Sequence, residues 1–207
     1  MYDAIRDQVC EPVSLTVYNY RGRKLAEEKE FDKNIRSKYG APFSDCHRVD
    51  LQKAFVKRAR ALGVAIELDA KVAKIEFGER SSDKAKVVTI ADKSYDADLV
   101  IGADGLWSTC RSALLGRKDT PLPTGDLAYR IVLDTSQIED ERLREIVKMP
   151  ACRFWIGPEA HVVAYCLRGG KMYNVVLLVP DDLEEGVART QGDIGEMKRL
   201  FEGWDPV

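Results

Sequence analysis

The stretch that most constrains the fold runs from Asp98 to Gly116 and reads DLVIGADGLWSTCRSALLG. Leu99-Val100-Ile101 is a short apolar run of the kind that forms a strand buried on both faces. It stops at Gly102-Ala103-Asp104-Gly105, where glycine permits backbone conformations and close approaches that a Cβ forbids. A short helix is expected next, with Trp107, Leu114 and Leu115 on its apolar side and Arg111 near its start. This order places a carboxylate and a guanidinium at the carboxyl end of a buried strand, where open α/β sheets bind ligands. An ordinary tight turn between strand and helix is the competing reading, and these residues alone leave both open.

With 207 residues, the chain can form one sizeable domain or a domain and a half. Hydrophobic residues at 45% and charged ones at 32% fit a folded protein rather than a disordered tail. A net charge of -2 gives no basic surplus for phosphate backbones, so no nucleic acid is expected as a partner. The single Arg168-Gly169-Gly170 triplet lies between two apolar runs and reads as a hairpin turn. No apolar run approaches the ~20 residues of a membrane span. The opening MYDAIRDQVC lacks the basic and apolar regions of a secretory signal. Cys10, Cys46, Cys110, Cys152 and Cys166 form no CxxC pair and read as reduced thiols, which points to a cytoplasmic setting. His47 and His161 have no neighbours at metal-ligand spacing, so no metal site is expected.

Val13 to Tyr20 alternates like a half-buried strand, and Lys24 to Phe31 reads as its return, with Tyr39-Gly40-Ala41-Pro42 closing the loop beyond. Arg48 to Leu62 carries Leu51, Ala54, Phe55, Ala59 and Leu62 at helical spacing, and Gly63 stands where a helix C′ glycine belongs. Arg48 opposes the helix dipole at this N-terminus, which a ligand or an acidic partner would explain. Val64 to Leu68 reads as a strand. Val72–Phe77, Lys86–Ile90 and Ser94–Ala97 suggest an antiparallel meander with a polar turn at Glu79-Arg80-Ser81-Ser82-Asp83. Pro121-Leu122-Pro123-Thr124-Gly125 is a stiff linker and a domain boundary. Beyond it, Leu127–Leu133, Phe154–Ile156, His161–Leu167 and Tyr173–Val179 read as strands, and Ile138–Val147 as a helix. Asp193 with Glu196 three residues on is an N-capping arrangement for a last helix.

The mixed order of elements favours α/β (mixed α+β) over either pure class. Three groups could carry chemistry. Asp104 with Gly105 and Arg111 suits hydroxyls and a diphosphate, against a bland capping aspartate. Arg130 stands inside the apolar run Ala128 to Leu133, where a charge is costly unless paired, facing a cavity, or on an edge strand facing solvent. Tyr165 lies between Ala164 and Cys166 in another strand, where tyrosine is also common for structural reasons alone.

Taken together, these residues resemble the class A flavin-dependent monooxygenases, the para-hydroxybenzoate hydroxylase fold, and most of all the salicylate-hydroxylase-like fungal members. His47-Arg48-Val49-Asp50-Leu51 is similar to the family's HRxDL segment, and IGADGLWSTCR (101–111) to its DG motif. Ala128-Tyr129-Arg130, and Phe154 to Pro158 with His161 to Tyr165, resemble its substrate-domain sheet. The resemblance implies a partial FAD/NAD(P)-binding unit over 1–120, with the hairpin and the DG motif, and a substrate-binding mixed β-sheet domain with flanking helices over 121–207. It implies FAD bound through Arg48, Asp104, Gly105 and Arg111, reduction by NAD(P)H, and hydroxylation of a phenolic or salicylate-like small aromatic substrate. Arg130 and Tyr165 then become the catalytic residues on that substrate.

The family's opening GxGxxG loop and its later Gly-Asp motif have no counterpart here; the pairs Gly125-Asp126 and Gly192-Asp193 lack the helix that should follow. The resemblance therefore implies a central segment that holds FAD weakly or not at all by itself. The alternative is a non-catalytic remnant that binds a small aromatic ligand or a partner chain.

Overall fold

The computed structural model describes residues 2–80, 83–184, 187 and 189–206. In chain order its first elements are β1 (Val9–Cys10), β2 (Ser14–Asn19), β3 (Lys24–Glu28), α1 (Phe31–Tyr39), β4 (Asp45–Cys46) and α2 (Arg48–Ala61). Next come β5 (Val72–Glu76), β6 (Ala85–Thr89), β7 (Ser94–Ala97) and α3 (Thr109–Leu115). The last are β8 (Asp126–Asp134), α4 (Glu141–Lys148), β9 (Ala151–Ile156), β10 (His161–Leu167), β11 (Met172–Pro180) and α5 (Ile194–Leu200). The mixed α/β class expected from the sequence is what forms.

The chain divides into two compact units, Met1–Leu62 with Gly125–Val207, and Gly63–Thr124. One limit between the units falls at Thr124 and Gly125, and the first 62 residues group with the second half of the chain. The reason is register. β2 pairs in parallel with β9, Ser14 opposite Ala151 through Asn19 opposite Ile156, so the expected hairpin completes the large sheet. That sheet has the order β3-β2-β9-β10-β11-β8, with every pair except β2–β9 antiparallel.

One face of this sheet is the core. Trp155, Ala164, Cys166 and Tyr173 point to it and meet Cys10 and Val147, with Tyr18, Val162, Val175 and Trp204 packed around them. Tyr18 stacks on Trp155 with ring centroids 5.4 Å apart, and the Trp155 indole N–H donates to Asp205 at 2.7 Å. An aromatic pair of this kind contributes about 0.5–1.5 kcal/mol beyond its buried area. The expected turn at Arg168-Gly169-Gly170 joins β10 to β11, all three residues at positive φ.

The second unit contains the expected meander, in the order β5-β6-β7, all antiparallel. Ser81 and Ser82 of its polar turn lie outside the described residues. Two expected strands do not form. Leu99-Val100-Ile101 is irregular, with Leu99 75% and Ile101 79% exposed. A strand buried on both faces needs a neighbour on each side and helices over both faces. Among the described residues no strand pairs with this run, so its apolar side chains stay in water. Val64 to Leu68 is also irregular. Glu67 is drawn to Lys93 and Tyr95, and Asp69 turns the chain at φ 55°.

α1 replaces the loop expected around residues 31–39. Asp32 and Arg36 pair at 2.8 Å one turn apart, and Gly40 ends the helix at φ 70°. In α2 the expected span holds, but of its apolar positions only Ala54 is buried; Phe55 and Leu62 remain more than half exposed.

Candidate functional site

In the second unit the acidic glycine turn is built around Asp104. One carboxylate oxygen accepts from the Ser108 hydroxyl at 2.6 Å and the other from the Cys110 amide at 3.0 Å. Ser108 is the N-cap of α3 and also accepts from the Arg111 amide at 2.9 Å, a hydroxyl in the position such caps favour. These hydrogen bonds, Ser108 first and the Cys110 amide second, hold the Asp104 carboxyl well below the usual carboxylate range. Asp104 thus accepts both from the N-cap hydroxyl and from the first turn of α3. Its own backbone N–H and the Cys110 thiol lower the carboxyl further.

Arg111 is held on both sides. Its Nε donates to Asp119 at 2.7 Å and its Nη2 to the Leu106 carbonyl at 2.8 Å. A guanidinium has five N–H donors, so three are left. Gly105 adopts φ 73°, and a Cβ there would meet nothing within 4 Å. Asp98, Leu99, Gly102, Asp104, Gly105 and Arg111 line an open cleft of about 630 Å³ within this unit. The apolar side expected of α3 faces water, with Trp107 66% and Leu114 76% exposed.

The other candidates lie in the first unit. Arg48 opens α2, is exposed, and makes no ion pair among the described residues. Its neighbour Asp50 is taken by Arg168, Nε to Oδ2 at 2.6 Å and Nη2 to Oδ1 at 2.9 Å. The helix is capped by the His47 ring, which accepts from the Val49 amide at 3.3 Å.

Arg130 and Tyr165 share the sheet face opposite the core. Tyr165 stands opposite Asn174, and Arg130 opposite Val176, two residues further along β11. Side chains two apart on a strand point the same way, and directly paired residues share a face. Arg130 is exposed on the edge strand β8, so its charge stays in water. Tyr165 is half-buried. Burial raises its phenol, the Asp45 carboxylate adds to the rise, and the Arg130 charge opposes it.

The sequence reading missed Asp45. Its carboxylate accepts from the Cys152 thiol at 3.4 Å, on the same face, and burial pushes its pKa up to about 6. Burial and the nearby Asp45 charge push the Cys152 thiol up to about 12. The only signal for Asp45 was its position three residues before Arg48, because nothing local marks an aspartate that a distant strand will bury.

No protein-family model matches the chain. It is 44% identical over 208 residues to FAD-dependent monooxygenase OpS4 of Beauveria bassiana, covering 99% of this chain and 48% of that protein. It is 33% identical over 175 residues to 3-hydroxybenzoate 6-hydroxylase of Klebsiella oxytoca, covering 83% of this chain and 41% of that protein. The chain thus spans about half the length, or less, of the curated relatives it matches. Its fold matches Klebsiella pneumoniae HpxO, solved in complex with FAD and uric acid, at a TM-score of 0.78 and 19% identity, over 99% of this chain and 49% of that one. The fold is thus shared with HpxO, and by sequence the chain belongs to the family of FAD-dependent monooxygenases that includes the aromatic hydroxylases.

Proposed function

We propose that this chain supplies the substrate-facing sheet and part of the cofactor cleft of an FAD- and NAD(P)H-dependent monooxygenase that hydroxylates a phenolic or salicylate-like ring. The observation that carries the reading is the shared face of Arg130 and Tyr165, a cation and a phenol on one side of the large sheet. Arg130 is suited to a carboxylate or phenolate, and Tyr165 to a hydrogen bond with a ring hydroxyl. The relatives' names point to the same substrate class, one of them a 3-hydroxybenzoate hydroxylase.

The residues of the glycine turn fit a flavin nucleotide. Gly105 and Asp104 line the cleft, the carboxylate being suited to hydroxyls, and Arg111 keeps three donors for a diphosphate. Arg48, free of ionic partners among the described residues, is the further cation suited to the cofactor. Bound FAD supplies the redox and oxygen-transfer chemistry, while the protein supplies position and electrostatics. The five free cysteines support a cytoplasmic setting. No helix among the described residues is long and apolar enough to cross a membrane.

The test is turnover by the polypeptide that carries this segment, supplied with FAD. NAD(P)H oxidation is expected to accelerate with hydroxybenzoates and to slow in Arg130→Ala and Tyr165→Phe. Unchanged turnover in both variants removes them from the site.

A further inference from the structure

The two edges of the large sheet are built differently. β3 carries Lys24, Glu27 and Glu28 among its five exposed residues, and its pairing with β2 is broken by a register shift between Val17 and Tyr18. Charge and irregularity of this kind keep an edge strand from pairing with another chain. β8, at the opposite edge, has neither protection. It runs nine residues, Asp126–Asp134, pairs with β11 without a shift, and holds no lysine or proline. Among the described residues no strand lies on its outer side. Val132 and Leu133 stand 44% and 41% exposed, one on each face. A long, regular, apolar edge with open N–H and C=O groups is a template for a further strand.

The charges of β8 specify which strand fits. Asp126, Arg130 and Asp134 recur every four residues, so all three share one face. Two copies of β8 placed antiparallel about Arg130 would set cation against cation, which is destabilising. Centred on Val132 instead, the two strands set Arg130 of each copy opposite Asp134 of the other, twice by symmetry. The same register brings Val132 against Val132 and Ile131 against Leu133. A centre at Ala128 pairs Arg130 with Asp126 but leaves Val132 and Leu133 outside the paired strands. Both charged groups are available. Arg130 makes no ion pair among the described residues, and Asp134 accepts from the Ser136 amide and hydroxyl through Oδ1 alone.

We propose that β8 is a dimerisation edge: a second copy of this chain pairs antiparallel with it about Val132, with Arg130–Asp134 ion pairs across the seam. The two six-stranded sheets then become one continuous sheet. The contact is isologous, so it closes at a dimer. A guanidinium has five N–H donors and a carboxylate takes two, so Arg130 keeps donors for a ligand on the face it shares with Tyr165. The second copy thereby adds a carboxylate beside that face.

Sedimentation equilibrium of the 207-residue chain tests this, with Val132→Lys, Arg130→Asp, Asp134→Arg and the double variant Arg130→Asp/Asp134→Arg, and a circular-dichroism spectrum of each. Wild type is expected to form a concentration-dependent dimer. Val132→Lys and each single charge reversal are expected to weaken association about tenfold with the spectrum unchanged. The double variant is expected to recover most of that loss, because it exchanges the two charges and keeps their complementarity. Wild type that stays monomeric up to its solubility limit overturns the proposal. So does association that Val132→Lys leaves unchanged, or a folded double variant that associates no better than the single reversals. Where a charge reversal loses the fold, Val132→Lys decides by itself, because its site faces water.

Discussion

The Arg168 guanidinium grips the Asp50 carboxylate with two parallel hydrogen bonds, 2.6 and 2.9 Å long, across 118 residues of sequence. The pair ties the first turn of α2 to the β10–β11 turn, so the helix that starts with Arg48 is anchored to the strand that carries Tyr165. Asp50 is mostly shielded and Arg168 about one-third exposed, which makes this more than an ordinary surface pair. A double-mutant cycle over Asp50→Asn and Arg168→Gln is expected to give a favourable coupling between the two, read from denaturant unfolding, with additive effects contradicting it. The Arg168 hydrogen bonds hold the Asp50 carboxyl below its ordinary value. Its contribution is therefore present above the unfolded carboxylate pKa of about 3.9 and is lost as pH falls through the lower folded value.

Asp45 works in the opposite direction. Burial raises its carboxyl to about 6, so folding favours the protonated form. The stability this gives is fully present below about pH 4 and is lost as pH rises through 6. Asp45→Asn should therefore stabilise the chain at pH 7 by on the order of 1 kcal/mol, discounted for partial exposure, and do little at pH 4. Melting temperatures at the two pH values check this, and an equal effect at both contradicts it.

Ser108 both caps α3 and donates to Asp104. Ser108→Ala should cost about 1 kcal/mol of local stability. It should also return the Asp104 carboxyl toward the ordinary range, because its largest lowering influence is gone. Carbon-13 NMR titration of the Asp104 carboxyl reads the second effect directly.

Trp155 holds the core face together through its stack on Tyr18 and its hydrogen bond to Asp205. Trp155→Ala is expected to cost about 3–5 kcal/mol, and Trp155→Phe clearly less, since it keeps a ring to stack on Tyr18 and loses the N–H and part of the indole's volume. Chemical denaturation of both variants measures the difference.

Most of the large sheet was legible because its strands are apolar runs bounded by glycine and charged turns, as at Gly157-Pro158 and Arg168 to Gly170. The capped helices were legible for the same local reason, with Asp193 bonded to the Glu196 amide as its spacing implied. Register was not local. Nothing in Ser14 to Asn19 announces that it will pair with a strand 137 residues away in sequence. Burial was misread at Leu99 to Ile101, because an apolar run shows that it can be buried but not whether a neighbour is present to bury it. α1 escaped notice because Phe31, Ile35 and Tyr39 are a thin apolar stripe among charges. At the candidate site, the types and order of Arg130 and Tyr165 were visible, whereas Asp45 joins them only through the Cys152 thiol, 107 residues away in sequence.

The central claim is that the sheet face bearing Arg130 and Tyr165 receives a hydroxylated aromatic ring. Nitrogen-15 and carbon-13 chemical shifts of the labelled chain, followed during titration with 3-hydroxybenzoate, test it most directly. The account predicts saturating shifts at the Arg130 guanidinium and the Tyr165 ring, with the core-face residues Ala164 and Tyr173 little changed. Saturating shifts confined to residues 63–124, or no shift at either side chain up to saturation elsewhere, would contradict it.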